Sequence, residues 1–258
     1  MFRKRVLFSV FFTLLCMLFC LSPISASEPK SSLTNEKAAY QYAELVYSDE
    51  NTEIFKITIY NEDTRSTYNI NVELFGNKNA HTVTAKATNI SETGANTIDV
   101  TLKLYSVRNF TINRGTAHDS DLNYGESLSF THANVSETAK YYATLVGTVN
   151  GQGIYYSTYQ IPFNSKGAKY PTNICSPVTG QSLPYNISVT ATAIPSSNWV
   201  PWNSRIKGQY AAYLGVNLTG YDVHHILPRK YGGTNDYSNL IPLYHADHSV
   251  VTGWWNSY

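Results

Sequence analysis

The chain has 258 residues, of which 14% are charged and 43% hydrophobic, a balance that excludes a disordered polypeptide. Its 19 Lys and Arg face 18 Asp and Glu, but Arg3, Lys4 and Arg5 precede every acidic residue; without them 16 basic residues face 18 acidic ones, a net charge of −2. No broadly basic footprint is present, so whole-chain charge alone indicates no nucleic-acid partner.

The first elements in chain order form an address. After the basic start, Val6 to Leu21 is an uninterrupted run of sixteen largely apolar residues, followed by the small residues Ser25, Ala26 and Ser27. This is the layout of a secretory signal peptide cleaved after Ala26. A retained anchor is the competing expectation, but sixteen residues are short for a span. No stable membrane insertion is therefore expected after cleavage. Cleavage leaves Cys175 as the only cysteine, so the mature protein has no internal disulfide, and export without disulfides fits a secreted bacterial protein.

Proline and tryptophan divide the rest of the chain. No proline occurs between Pro29 and Pro162, six lie between Pro162 and Pro201, and all four tryptophans come after Ile194. The expected organisation is a signal peptide (1–26), a leader with a first strand (27–50), a β-sandwich domain (51–165), a Pro-containing connector (166–200) and a small α+β domain (201–258). The sandwich expectation rests on two-residue periods. Ile98, Val100, Leu102 and Leu104 alternate with polar neighbours, as do Tyr68 to Leu74, Val83 to Ala87, Phe55 to Ile59 and Tyr141 to Leu145. Turn signals fall at Asn61–Asp63, Gly76–Asn79 and Thr93–Gly94, and Asn150-Gly151 predicts a type I′ hairpin. About seven strands at this spacing predict an all-β antiparallel sandwich. Its many Tyr and Thr suit exposed pleated faces; binding of glycan or cell wall is the functional alternative. His81, His118 and His132 are scattered and read as structural or surface residues.

The last sixty or so residues carry the chemistry. Ile206, Tyr210 and Leu214 recur at helical spacing, with Asn203 as the predicted N-cap and Gly215 just past the end. Val223 to Leu227 and Leu240 to Tyr244 predict an antiparallel strand pair, and a helix is expected from His245 towards Gly253. His224 and His225 are adjacent on a strand, so they point to opposite faces and do not chelate one ion together. One can ligate a metal, with His248 reaching back from the helix, while the other performs a separate polar task. Two histidines with open positions suit a divalent ion that also holds water or a phosphate oxygen.

In four ordered elements these residues resemble the HNH (His-Me finger, ββα-metal) endonucleases: H-H-I-x-P at His224–Pro228, G-G-x-N-D at Gly232–Asp236, N-L-I-P-L at Asn239–Leu243, and His248 nine residues after Asn239. The resemblance spans 35 residues, Tyr221 to Trp255. It implies a multidomain chain ending in a small ββα-metal domain. It implies His225 as general base, its ring held by a backbone carbonyl, with a pKa that permits proton exchange near neutral pH. It further implies His224 and His248 as metal ligands, and Asn239 as the residue that fixes the loop and the strand carrying His225. One divalent ion (Mg²⁺, Mn²⁺, Ni²⁺ or Zn²⁺) would bind the scissile phosphate, and hydrolysis would leave 5′-phosphate and 3′-hydroxyl ends. Where many relatives carry a further His, this chain has Thr252. The cysteine pairs of other relatives are absent, so Cys175 is expected to be a small buried residue, with Trp254 and Trp255 packing the last helix onto the hairpin instead.

Each remaining polar residue has a plainer competitor. His245 is a candidate third ligand or a solvated helix-start residue, and Asp222 is expected to be a surface or turn carboxylate. Arg205 and Arg229, with Lys207 and Lys230, are candidate phosphate contacts or solvated charges. Two functions are compatible with these residues. The first is a secreted metal-dependent endonuclease acting on DNA, with RNA as the alternative substrate, either an extracellular DNase or an antibacterial toxin with an immunity protein as candidate partner. The second is a secreted binding or adhesion protein whose sandwich does the work and whose tail is degenerate.

Overall fold

Alternation in the sequence becomes alternation of burial in the computed structural model, which describes residues 40–61, 65–91, 97–184 and 186–258. The apolar run at 6–21, the expected cleavage site and residues 27–39 of the leader lie outside the described residues, as do the turn placed at 93–94 and all but Asn61 of the turn placed at 61–63. Among the described residues ten strands precede residue 164: β1 (Tyr40–Ser48), β2 (Thr52–Asn61), β3 (Ser66–Asn77), β4 (Thr82–Asn89), β5 (Ile98–Val107), β6 (Thr111–Asp119), β7 (Ser127–His132), β8 (Ala139–Val149), β9 (Gln152–Ser157) and β10 (Ile161–Phe163). They form two open antiparallel sheets. One has the order β1-β2-β3-β4-β7; the other runs β10-β8-β5-β6, with β9 also on β8.

The sheets share one core. Ile57, Ile59, Ile70, Val72 and Leu74 from the first meet Val100, Leu102, Leu104, Tyr141 and Leu145 from the second, all essentially removed from water. Each such side chain contributes about 1.5–3 kcal/mol by burial. The expected sandwich is present, with more strands than periodicity announced. β6 has no fully buried position and β10 has three residues, so neither carries a readable hydrophobic period. The β8–β9 turn holds Asn150 at φ 51° and Gly151 at φ 77°, the type I′ conformation. Among the described residues no helix is long and apolar enough to cross a membrane.

Beyond β10 the chain turns under the C-terminal elements: helix α1 (Ser204–Leu214), strands β11 (Asp222–His225) and β12 (Leu240–Leu243), and helix α2 (His245–Asn256). Asn203 caps α1 by accepting from the Ile206 amide at 3.2 Å, and Gly215 closes it in the left-handed conformation. The two strands pair antiparallel, with His224 opposite Ile241 and His225 opposite Leu240. The segment expected as a connector contributes Tyr170, Ile174, Leu183 and Ile187 to a core shared with Ile241, Leu243, Val251, Trp254 and Trp255. Trp254 meets Tyr170 edge-on at 4.8 Å, and its indole N–H donates to the Ala168 carbonyl at 2.8 Å. The two tryptophans therefore pack α2 against the hairpin and against this segment together. Cys175, expected to be buried, is exposed; the Cys175–Ser182 bridge belongs to a surface turn.

One ionic contact pins this segment to the first sheet. Lys169 is fully buried and its Nζ lies 2.6 Å from Glu53 Oε1 on β2 and 2.7 Å from Ser48 Oγ. Burial pushes the Glu53 carboxyl above its ordinary value even with Lys169 beside it. Removing the ammonium alone strands a buried acid. Lys169→Ala should therefore lower unfolding free energy by about 3 kcal/mol, the lower end for a broken buried pair because Glu53 then takes up a proton. Glu53→Leu with Lys169→Met should recover most of that loss in urea denaturation; equal destabilisation by both variants would contradict this account.

Candidate active site

The loop between β11 and β12 is built around one amide side chain. Asn239 Oδ1 accepts from the Leu227 amide at 2.8 Å, and its Nδ2 donates to the Leu227 carbonyl at 3.1 Å and the Thr234 carbonyl at 2.9 Å. The Asn239 backbone carbonyl accepts from Ile226 at 2.9 Å. Regular pairing stops at His225, short of the Leu227 predicted from sequence, because the Asn239 backbone N–H that would return the Ile226 bond donates instead to the Asp236 carbonyl at 2.8 Å. Gly233 lies against this junction: a Cβ there would stand 1.7 Å from the Leu227 carbonyl oxygen and 3.0 Å from Asn239 Nδ2. The second glycine of G-G-x-N-D is thus a close-approach glycine.

The loop presents Asn235 to His225. His225 Nε2 lies 2.9 Å from Asn235 Oδ1, and Asn235 Nδ2 donates to the Pro201 carbonyl at 2.8 Å. A carbonyl only accepts, so the amide nitrogen must face Pro201 and the amide oxygen must face the imidazole. His225 therefore carries its proton on Nε2 and its lone pair on Nδ1. The ring is held by a side-chain amide rather than the backbone carbonyl expected from the resemblance. Trp202 packs edge-on against the same ring at 4.9 Å. Burial first, then Arg229, pushes the His225 pKa below its ordinary value, partly offset by the Asn235 bond.

His224 faces the other way. It is 5% exposed, its Nε2 is buried without a hydrogen-bond partner, and its ring centroid lies 5.3 Å from that of His248 on α2. Burial, then His248 and His225, push its pKa down to about 3, so it stays neutral with a lone pair available. Asp222 sits two residues before His224, on the same side of the strand. Its Oδ2 lies 2.7 Å from His245 Nδ1 and 3.1 Å from His248 Nδ1. The hydrogen bond from His245 leads the effects that hold the Asp222 carboxyl below its usual range. A carboxylate only accepts, so His248 carries its proton on Nδ1 and leaves Nε2 free.

These two nitrogens fit a metal ion. Imidazoles sharing one ion through ~2.1 Å bonds stand about 5 Å apart between centroids, close to the spacing found. Among the described residues no set of three His, Cys, Asp or Glu is arranged to hold an ion. His245 is exposed and engaged with Asp222. Arg229 donates to the Val200 carbonyl at 3.0 Å and lies 5.7 Å from the Trp199 ring centre, and Lys207 donates to the Tyr221 carbonyl at 2.7 Å. Arg205 is exposed on the first turn of α1.

Residues 216–252 match the family model described as HNH endonuclease. The C-terminal region carries an HNH domain. No curated protein and no solved structure matches the chain. The HNH domain implies a nuclease acting on nucleic acid, and its members generally use a divalent metal. Sequence reasoning read Asp222 as a surface or turn carboxylate rather than as the acceptor for His245 and His248, and gave Asn235 and Trp202 no role. Asp222 was discoverable from the two-residue period that places it beside His224, and Asn235 stood inside a quoted motif without a role.

The loop geometry is directly testable. Asn239→Ala leaves three backbone groups to be satisfied by water and should cost about 2–3 kcal/mol of stability. Gly233→Ala should destabilise at least as strongly, because the obstructing atom is backbone. Thermal melting of both variants within a degree of wild type would contradict the reading.

Proposed function

We propose that the protein is a secreted bacterial, metal-dependent HNH endonuclease that hydrolyses phosphodiester bonds of DNA, used as an extracellular DNase or antibacterial toxin. The observation that carries this reading is the division of protons at the hairpin. Asp222 leaves His248 Nε2 free on a ring 5.3 Å from that of His224, whose own Nε2 is orphaned, while Asn235 leaves a lone pair on His225 Nδ1. The secretory-signal pattern read in the sequence at 1–26 supports secretion, and an immunity protein is the partner a toxin role would require.

In this mechanism His225 Nδ1 takes a proton from the attacking water and Asn235 holds the ring as it does so. His224 and His248 would hold the divalent ion, with Asp222 orienting His248. The chemistry such an ion supplies is charge stabilisation at the scissile phosphate and on the leaving 3′ oxygen. Asn239 keeps the loop, and through it Asn235, in register with the base.

Plasmid DNA incubated with the protein and Mg²⁺, Mn²⁺, Ni²⁺ or Zn²⁺ should be cut, and His225→Ala should abolish cutting while retaining metal binding. Equal survival of DNA and RNA with wild type and variant would sink the enzyme reading. Asp222→Ala should weaken metal binding by about 10–100-fold in titration calorimetry, as loss of a carboxylate behind a ligating His does. An unchanged Kd would remove Asp222 from that role. At saturating metal, kcat/KM should rise with pH as His225 loses its proton, with a midpoint below the ordinary imidazole value near 6.5 because the folded pKa is lowered. A midpoint above pH 7 would contradict the assignment.

A further inference from the structure

Between the sandwich and α2 lies a cleft of about 640 Å³. One wall comes from the β1–β2 turn (Glu50, Asn51) and the β3–β4 turn (Lys78, His81); the other includes Lys166 and, on α2, Ser249, Val250 and Gly253. We propose that this cleft binds the phosphodiester backbone of the nucleic acid, so that the sandwich supplies part of the grip of the nuclease. The inference rests on the nuclease function proposed for the hairpin and extends it to a surface outside the HNH segment.

Charge and position argue for that ligand. Lys78 and Lys166 are both exposed, and neither forms an ion pair among the described residues. The third lysine of the lining, Lys169, is neutralised by Glu53 and turned away from solvent. Glu50 is the one carboxylate in the lining, and it accepts from Asn51 Nδ2 at 3.1 Å. Two free ammonium groups against one carboxylate, with amides and hydroxyls between them, suit phosphate and sugar oxygens. The helical wall begins at Ser249, the residue after His248. It runs to Trp254, and at ~1.5 Å rise per residue that is about 7.5 Å along α2, the axial length of about two base steps.

The walls are fixed in advance. Asn164 Nδ2 donates to the Trp254 carbonyl at 3.2 Å, the Trp254 indole to Ala168, and the Gly76 amide to the Asn51 carbonyl at 2.8 Å. With the Lys169–Glu53 pair, these bonds join both turns, the segment after β10 and α2 without exposed linkers. The backbone that carries the lysines is therefore held in place relative to α2, so less binding energy is spent on ordering the cleft walls.

The test uses the full chain carrying His225→Ala, which can bind without cutting, and fluorescein-labelled single-stranded and duplex oligonucleotides in anisotropy titrations from about 50 to 200 mM salt. Adding Lys78→Glu and Lys166→Glu should weaken binding about tenfold or more at the lowest salt. It should also flatten the slope of log K against log salt by about 1.4–1.8, one phosphate contact for each lysine. Glu50→Gln should tighten binding. In the active background the lysine variants should raise KM and leave kcat in place. Unchanged affinity and slope in variants with wild-type melting would overturn the proposal, as would loss of binding to a soluble cell-wall glycan with nucleic-acid binding intact. The nuclease reading fails separately: it falls if wild type and His225→Ala cut equally little, whereas normal cutting by the lysine variants with unaltered KM overturns only the cleft.

Discussion

The C-terminal region depends on the three hydrogen bonds of the Asn239 side chain. An amide can accept and donate at once, and here it accepts from the Leu227 amide while donating to the Leu227 and Thr234 carbonyls. These are backbone groups that a four-residue strand pair leaves without ladder partners. A hydroxyl or carboxylate at 239 would leave at least one of them unmet. Because the bonds span the loop, they set its path, and the path brings Gly233 into backbone contact and Asn235 within reach of His225. A small structural economy at one side chain thus becomes a condition on the chemistry.

The second organising feature is that two obligate acceptors assign the protons of the site. The Asp222 carboxylate requires N–H on the Nδ1 atoms of His245 and His248; the Pro201 carbonyl, acting through Asn235, requires N–H on Nε2 of His225. Two histidines of the same polypeptide are thereby held in opposite tautomers. His224 needs no such partner, because burial, reinforced by His248 and His225, keeps it neutral. In the proposed mechanism the metal-facing and water-facing lone pairs are prepared by groups that themselves touch neither metal nor substrate.

How much of this was legible in the sequence depends on whether the determining interaction was local. Strands with one buried face, such as β5, announced themselves by alternation, and Asn203 and Gly215 marked the ends of α1 by cap chemistry. β6 did not, because a strand whose residues are all partly exposed has no period to read. Cys175 was misplaced for a similar reason: residue type favours burial, but its position in a short surface turn is set by the bridge to Ser182. In the site, the histidines and Asn239 were found by spacing. Asn235 and Pro201 were not, since they lie 34 residues apart and their bond exists only once α1 and the hairpin are packed, through Tyr210 and its hydrogen bond to Leu240.

Net charge takes on a different meaning at this level. From residue 200 onward four Lys and Arg face three Asp, hardly more basic than the whole chain. Two of those four are tied to backbone carbonyls, Arg229 to Val200 and Lys207 to Tyr221. The C-terminal region by itself therefore offers little net positive charge to a polyanion. A nuclease built this way needs its grip from a bound cation and from neighbouring elements. The sandwich, whose composition is near neutral, can provide that grip because a few unpaired lysines in a fixed cleft act locally, within a Debye length, where the chain-wide sum has no influence. In the proposed function the two regions divide the work: the hairpin would hold the groups that break the bond, and the sandwich would help hold the strand in which the bond lies.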